Sequence, residues 1–187
     1  SEILSRRVNV ADFGVIYAGA QKNIGPAGAT VVIIREDLLD RCSDRVPDVW
    51  NYRAHVNRLG MYNTPATYPI YIAGLVFRWL ESQGGLGRME AINTEKARLL
   101  YEAIDNSGGF YLNNIQPDAR SKMNVIFRTG NKELDKLFVQ ESTLRGLCQL
   151  EGYKTVGGMR ASIYNAMPLQ GVEALVEFMQ EFQRRYG

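Results

Sequence analysis

One lysine in this chain stands where a side-chain amine could act as a nucleophile. Lys22 follows a short apolar run, Val15-Ile16-Tyr17-Ala18, of buried-strand type, and precedes the turn-forming Gly25-Pro26-Ala27-Gly28. Small neighbours leave room for something bulky to approach the backbone. An amine held at the edge of a core is partly desolvated, which lowers its pKa and frees it for attack on a carbonyl. A solvated turn lysine is the commoner case, so these residues alone leave both readings open.

Two further segments carry candidate chemistry. In Gly60-Met-Tyr-Asn-Thr-Pro65, the pair Thr64-Pro65 predicts the start of a helix. Asn63 and Thr64 would then sit at its N-terminus, where backbone N–H groups, a hydroxyl and an amide can hold an anion such as a phosphate. Plain N-capping by Thr64 explains the same residues. In Tyr153-Lys-Thr-Val-Gly-Gly-Met-Arg160, an arginine opens a strand just after a double glycine. Its guanidinium can clamp a carboxylate through two parallel hydrogen bonds, or form a structural ion pair with an acidic side chain.

Other chemistries are excluded by composition. Cys42 and Cys148 lie far apart, no Cys-x-x-Cys occurs, and His55 is the single histidine, so no metal site is expected. Two free thiols fit a reducing compartment, which implies a cytoplasmic location. Lys and Arg total 22 against 20 Asp and Glu, a net charge of +2, so no basic field is present to attract nucleic acid or an anionic membrane. The most apolar window, Ala66 to Leu80, is shorter than the roughly 20 residues of a bilayer span and predicts a buried helix in a soluble protein. Arg6 and Arg7 precede no long apolar core, so no signal peptide is visible. The stretch from Ser1 to Ala11, without an initial Met, reads as an internal start.

The elements that must position these residues follow from periodicity. Strands are predicted at Val15–Ala18 and Thr30–Arg35, a short helical stretch at Glu36–Arg41, and an exposed, irregular excursion over Ser43–Gly60. A helix runs from Thr64-Pro65 to about Gln83, stopped by Gly84-Gly85. Leu86, Met89, Asn93, Ala97, Leu100, Tyr101 and Ile104 keep helical spacing. Beyond Phe110 the chain reads as a small α/β unit. It has a strand at Met123–Arg128, a helical face from Leu134 through Leu144, Leu147 and Cys148 that closes near Gly152, and a strand at Met159–Tyr164. A last helix opens at Pro168 with Val172, Leu175, Val176, Met179 and Phe182 on one face. The fold class is α/β, with domains over residues 1–84 and 85–187.

Taken together, Tyr17–Gly28, Met61–Pro65 and Val156–Pro168 resemble the motifs of the phosphoserine aminotransferase family, within the class V group of pyridoxal-phosphate enzymes. The resemblance runs along the whole chain. It implies a type I fold of pyridoxal-phosphate-dependent transferases. Residues 1–84 would be the C-terminal part of the large cofactor domain, with its last strands, and 85–187 the small C-terminal α/β domain. It implies that Lys22 forms the Schiff base with pyridoxal 5'-phosphate and that Gln21 helps bind the cofactor phosphate. Asn63 and Thr64 would reach the cofactor phosphate of the neighbouring subunit, and Arg160 would bind the substrate α-carboxylate. The implied protein is a homodimer with shared active sites. It would move an amino group between phosphoserine or glutamate and the corresponding oxo acids, 3-phosphohydroxypyruvate and 2-oxoglutarate, in serine and pyridoxine biosynthesis.

Three departures stand out. Where the family usually shows His-Arg to grip the substrate phosphate, this chain has Tyr153 and Lys154. Lys154 keeps the charge and loses the planar fork, while the Tyr153 phenol can still donate one hydrogen bond. Ala66 stands where a second proline is common. The family's substantial N-terminal portion, with the aromatic and aspartate that hold the cofactor ring, has no counterpart here. Two rival readings remain: another class V enzyme, such as a desulfurase, or a non-catalytic C-terminal fragment whose exposed strand edges would favour aggregation.

Overall fold

The structure is a computed structural model that describes residues 2–43 and 45–187. The chain divides into two compact units, Ile3–Leu86 and, together with Glu2, Gly87–Gly187.

In the first unit, β1 (Val15–Gly19) and β2 (Thr30–Ile34) form an antiparallel pair with Tyr17 opposite Val32. β1 alternates strictly between exposed and half-buried residues and β2 mixes the two, so β1 is not the fully buried strand its apolar run suggests. A two-stranded ribbon leaves one face without a packing layer. A 3-10 turn at Glu36–Arg41 follows. The excursion after it is more ordered than expected. It contains a 3-10 turn at Asp48–Trp50 and a one-turn helix α1 (Tyr52–Val56), whose Asn51 cap accepts from the Arg53 N–H at 2.9 Å. Arg53 also makes a two-pronged pair with Asp40, at 2.9 and 2.7 Å.

Helix α2 (Thr67–Ser82) begins later than Thr64-Pro65 implies. Its cap is Ala66, without a side-chain cap bond, so Thr64 is not the N-cap. The proline of the first turn is Pro69, at the third helical position, where a missing N–H leaves no intrahelical bond unmade. Only Ala73 and Leu80 of α2 are buried, while Tyr68 and Tyr71 are 67% and 60% exposed. The expectation of a buried helix is therefore corrected. The buried core it joins is small, formed by Ala20, Ile24 and Ala73 with Ile3, Leu4, Ala18, Ala29 and Val31 around it.

The second unit has a much larger core. Helix α3 (Gly85–Asp105) buries Met89, Asn93, Lys96, Ala97, Leu100 and Ile104 on one stripe. Strands β3 (Asn124–Phe127) and β4 (Met159–Ser162) pair antiparallel, with Ile126 opposite Arg160. Helix α4 (Lys132–Leu144) starts at Asn131, whose side chain accepts from the Glu133 N–H at 2.9 Å. It ends before Leu147 and Cys148, earlier than the apolar spacing suggests. Gly146 at φ +80° closes it, with the Gly146 N–H on Thr143 O and the Leu147 N–H on Ser142 O. Helix α5 (Leu169–Tyr186) buries Val172, Leu175, Phe178, Met179 and Phe182. Phe138, fully buried, meets Phe178, Phe182 and Phe127 edge-on at 4.9, 5.1 and 5.6 Å between ring centres. The Tyr111 hydroxyl donates to Met179 O at 2.8 Å, and burial pushes this phenol well above its usual value.

Candidate active site

Lys22 lies in the turn that leaves β1. Its backbone N–H and that of Gly25 both donate to Ala20 O at 2.7 Å, which curls the chain tightly. The buried members of this turn are Ala20, Asn23 and Ile24. Asn23 Nδ2 donates to Ile3 O at 3.0 Å and ties the turn to the chain's beginning. Lys22 and Gln21 are exposed. Of the two readings of Lys22, the exposed turn lysine is the one seen here: Ala20, Asn23 and Ile24 face inward, and Gln21 and Lys22 face outward. The small residues after it have a definite neighbour as well. Gly28, at φ +114°, would drive a β-carbon to within 2.8 Å of Pro69 Cγ, and a β-carbon on Gly25 would meet the Ala73 backbone nitrogen at 3.5 Å. Helix α2 occupies the room these residues make. The Gln21 carboxamide folds back over Gly19, where any β-carbon would collide with it.

Asn63 and Thr64 are exposed residues of the segment leading into α2. The residues before them are braced. Tyr62 packs against His55 at 5.1 Å and under the Arg58 guanidinium at 4.8 Å, and His55 Nε2 donates to Val49 O at 2.9 Å. The Lys22 turn and the Asn63-Thr64 segment therefore both adjoin the first turns of α2, one by packing and the other by chain continuity.

In the second unit, Tyr153, Lys154 and Arg160 line one cleft of about 1050 Å³, together with Cys148, Ile163 and Met167. The chain from Leu150 to Gly158 folds back along β4. The Arg160 N–H donates to Leu150 O at 2.8 Å, and the Gly152 N–H donates to Gly158 O at 2.8 Å. This return needs Gly158, at φ +67°, because a β-carbon there would stand 2.7 Å from Phe127 O. Tyr153 and Lys154 sit exposed at the crest of the loop. They also border a neighbouring cleft of about 700 Å³, lined by Arg128, Lys132 and Lys136.

Arg160 is half-buried, and its Nε is fully buried without a hydrogen-bond partner among the described residues. No acidic side chain pairs with it among them, so the ion-pair reading is not realised. A guanidinium fork with an unsatisfied buried donor, beside a cleft, is suited to an incoming carboxylate. Behind this wall lies a residue the sequence reading passed over. Lys96 is fully buried and donates to the carbonyls of Ile163, Tyr164 and Met167 at 3.0, 2.8 and 3.0 Å. Desolvation pulls its ammonium down to about 8. Its place on the buried stripe of α3, seven residues after Met89 and four before Leu100, was a readable signal.

Among the described residues no group of His, Cys, Asp and Glu could hold a metal ion, and no helix is long and apolar enough to cross a membrane. The family model for class V aminotransferases matches residues 1–175. The chain belongs to the class V aminotransferase family. It is 71% identical over all 187 residues to the phosphoserine aminotransferase of Neisseria meningitidis serogroup A, of which it spans 51%. A solved phosphoserine aminotransferase from Bacillus circulans subsp. alkalophilus superimposes with a TM-score of 0.96 at 48% identity, covering 100% of this chain and 52% of that one. A pyridoxal-phosphate-bound phosphoserine aminotransferase from Trichomonas vaginalis gives 0.90 at 45% identity, covering 96% and 52%. The chain thus spans about half the length of the relatives it matches.

Proposed function

We propose that this sequence forms the C-terminal part of a phosphoserine aminotransferase. In this reading an amino group passes between phosphoserine or glutamate and the oxo acids 3-phosphohydroxypyruvate and 2-oxoglutarate, with pyridoxal phosphate as cofactor. The observation that carries it is Arg160, with a buried and unpartnered Nε, on a cleft that also holds Tyr153 and Lys154. The similarity to named phosphoserine aminotransferases supports it. The finer expectations belong to the same reading: a homodimer with shared sites, a cytoplasmic location, and a place in serine and pyridoxine biosynthesis. So does the division of residues 1–84 and 85–187 between a large cofactor domain and a small domain.

The donor set of this chain fits one end of the cofactor. A primary amine at Lys22 suits its aldehyde, and the Gln21 carboxamide, the Asn63 amide and the Thr64 hydroxyl suit a phosphate. When bound, the cofactor supplies a conjugated ring that accepts the electron pair left on the substrate carbon. With the cofactor bound, Lys22 Nζ would take the proton from the substrate Cα and later give one back, acting as base and then acid. Arg160 holds the substrate carboxylate so that the Cα–H bond keeps a fixed direction. Lys154 and Tyr153 meet the substrate phosphate.

Borohydride reduction of the holoenzyme tests the assignment of Lys22. A pyridoxyl group is expected on the peptide containing Lys22, and Lys22→Ala is expected to lower turnover by at least about a hundredfold. An unlabelled peptide, or near-normal turnover in the variant, refutes it. Activity with phosphoserine set against alanine, serine and cysteine separates this reading from other class V enzymes.

A further inference from the structure

We propose that Lys96 is a positioning residue for substrate carboxylate binding, holding from behind the turn that joins β4 to α5 and forms a wall of the Arg160 cleft. The proposal rests on the reading of Arg160 as the carboxylate clamp.

The geometry is specific. The carbonyls of Ile163, Tyr164 and Met167 converge on one ammonium within 2.8 to 3.0 Å. An ammonium has three N–H donors, and here each finds one carbonyl. Two of the three carbonyls belong to Ile163 and Met167, whose residues line the cleft together with Arg160. Asn93, one turn earlier on α3, donates to Asn165 Oδ1 at 2.8 Å and grips the same turn. On its far side the Ile163 N–H donates to Met123 O at 2.9 Å. The turn is therefore tied to α3 by side chains and to the start of β3 by its backbone. Burying a lysine ammonium with carbonyls as its hydrogen-bond acceptors is costly. Uncharged capping or apolar packing would close an ordinary turn more cheaply. What the ammonium adds is a single arrangement of three carbonyls, and with it a fixed course for the chain three residues beyond Arg160.

Steady-state kinetics of the holoenzyme test this with L-glutamate and 2-oxoglutarate. Lys96→Met keeps the length and removes the donors. It is expected to raise KM for both substrates about tenfold, with kcat within about twofold and the cofactor absorbance unchanged. Unchanged KM values in the folded variant overturn the proposal, as does a loss confined to kcat or to cofactor binding. If Lys96→Met fails to accumulate as folded protein, Asn93→Ala makes the same test, with an expected rise of about threefold. Arg160→Gln runs in parallel. If it raises KM and the Lys96 and Asn93 variants do not, this proposal fails alone; if it leaves KM unchanged, the carboxylate reading beneath it fails.

Discussion

Lys154 is exposed on the crest of the loop between two clefts, and its neighbours on one side are Arg128, Lys132 and Lys136. A lysine in that place offers a point charge on a flexible stem, whereas an arginine offers a rigid fork with two parallel donors. If the cleft takes a phosphorylated substrate, Lys154→Arg should lower KM for phosphoserine by about three- to tenfold and leave KM for glutamate unchanged. Parallel titration of the two substrates checks this, and an unaltered phosphoserine KM would mean that Lys154 faces elsewhere. Arg160 could be picked out from the sequence because a double glycine before a strand marks a tight return, yet its two roles could not be separated there. The spacing of residues does not say whether an acidic partner folds onto a guanidinium; the unpartnered Nε does. Lys22 stands out in the sequence by its surroundings. The direction of its side chain depends on which members of the turn face inward, and no periodicity governs a turn.

At the scale of elements, the second unit is held by aromatic packing around Phe138. Four rings, Phe178, Phe182, Phe127 and Tyr111, stand within 4.9 to 6.1 Å of it, on α5, β3 and the segment before β3. Phe138→Ala should therefore cost about 3–5 kcal/mol, read as a lowered denaturation midpoint. A loss below about 1 kcal/mol would show that the surrounding helices collapse into the space. The helices of this unit were legible because their apolar residues recur at helical spacing. Of the residues that the spacing sets on one face, Val172, Leu175, Met179 and Phe182 are buried and Val176 is half-buried, while Phe178, outside that set, is buried with them. Ends were less legible. The apolar spacing of α4 runs on through Leu147 and Cys148, but Gly146 in left-handed geometry ends the helix before them, so one stripe is shared by a helix and the loop after it. Thr64-Pro65 imitates a helix start two residues early, because Pro69 inside the first turn is equally compatible with helical geometry.

Over the whole chain, charge is nearly balanced, and its effect is carried by pairs rather than by net field. Arg120 makes a two-pronged bond to Asp105 at 2.6 and 2.8 Å, Arg145 pairs with Glu181, and Arg185 with Glu141. The guanidinium bonds hold all three carboxyls below their ordinary values. As pH falls, the unfolded chain takes up protons at these sites before the folded one does. Their stabilisation is thus complete above the unfolded values and is lost as pH drops through the folded ones. The unfolding temperature should stay level from pH 7 to about 5 and decline below about 4. Because the pairs are largely exposed, added salt should make the decline shallower. Calorimetry across that range checks both statements, and a decline that is indifferent to salt would assign it to other groups.

The clash awaiting any β-carbon at residue 158 has an evolutionary corollary. The hairpin that presents Arg160 leaves no room for a side chain at residue 158, whereas the crest three to five residues upstream carries exposed side chains. Under the proposed function, ligand preference would drift among descendants by exchanging residues 153 and 154 on an unchanging frame, one codon at a time, without a detour through misfolded intermediates.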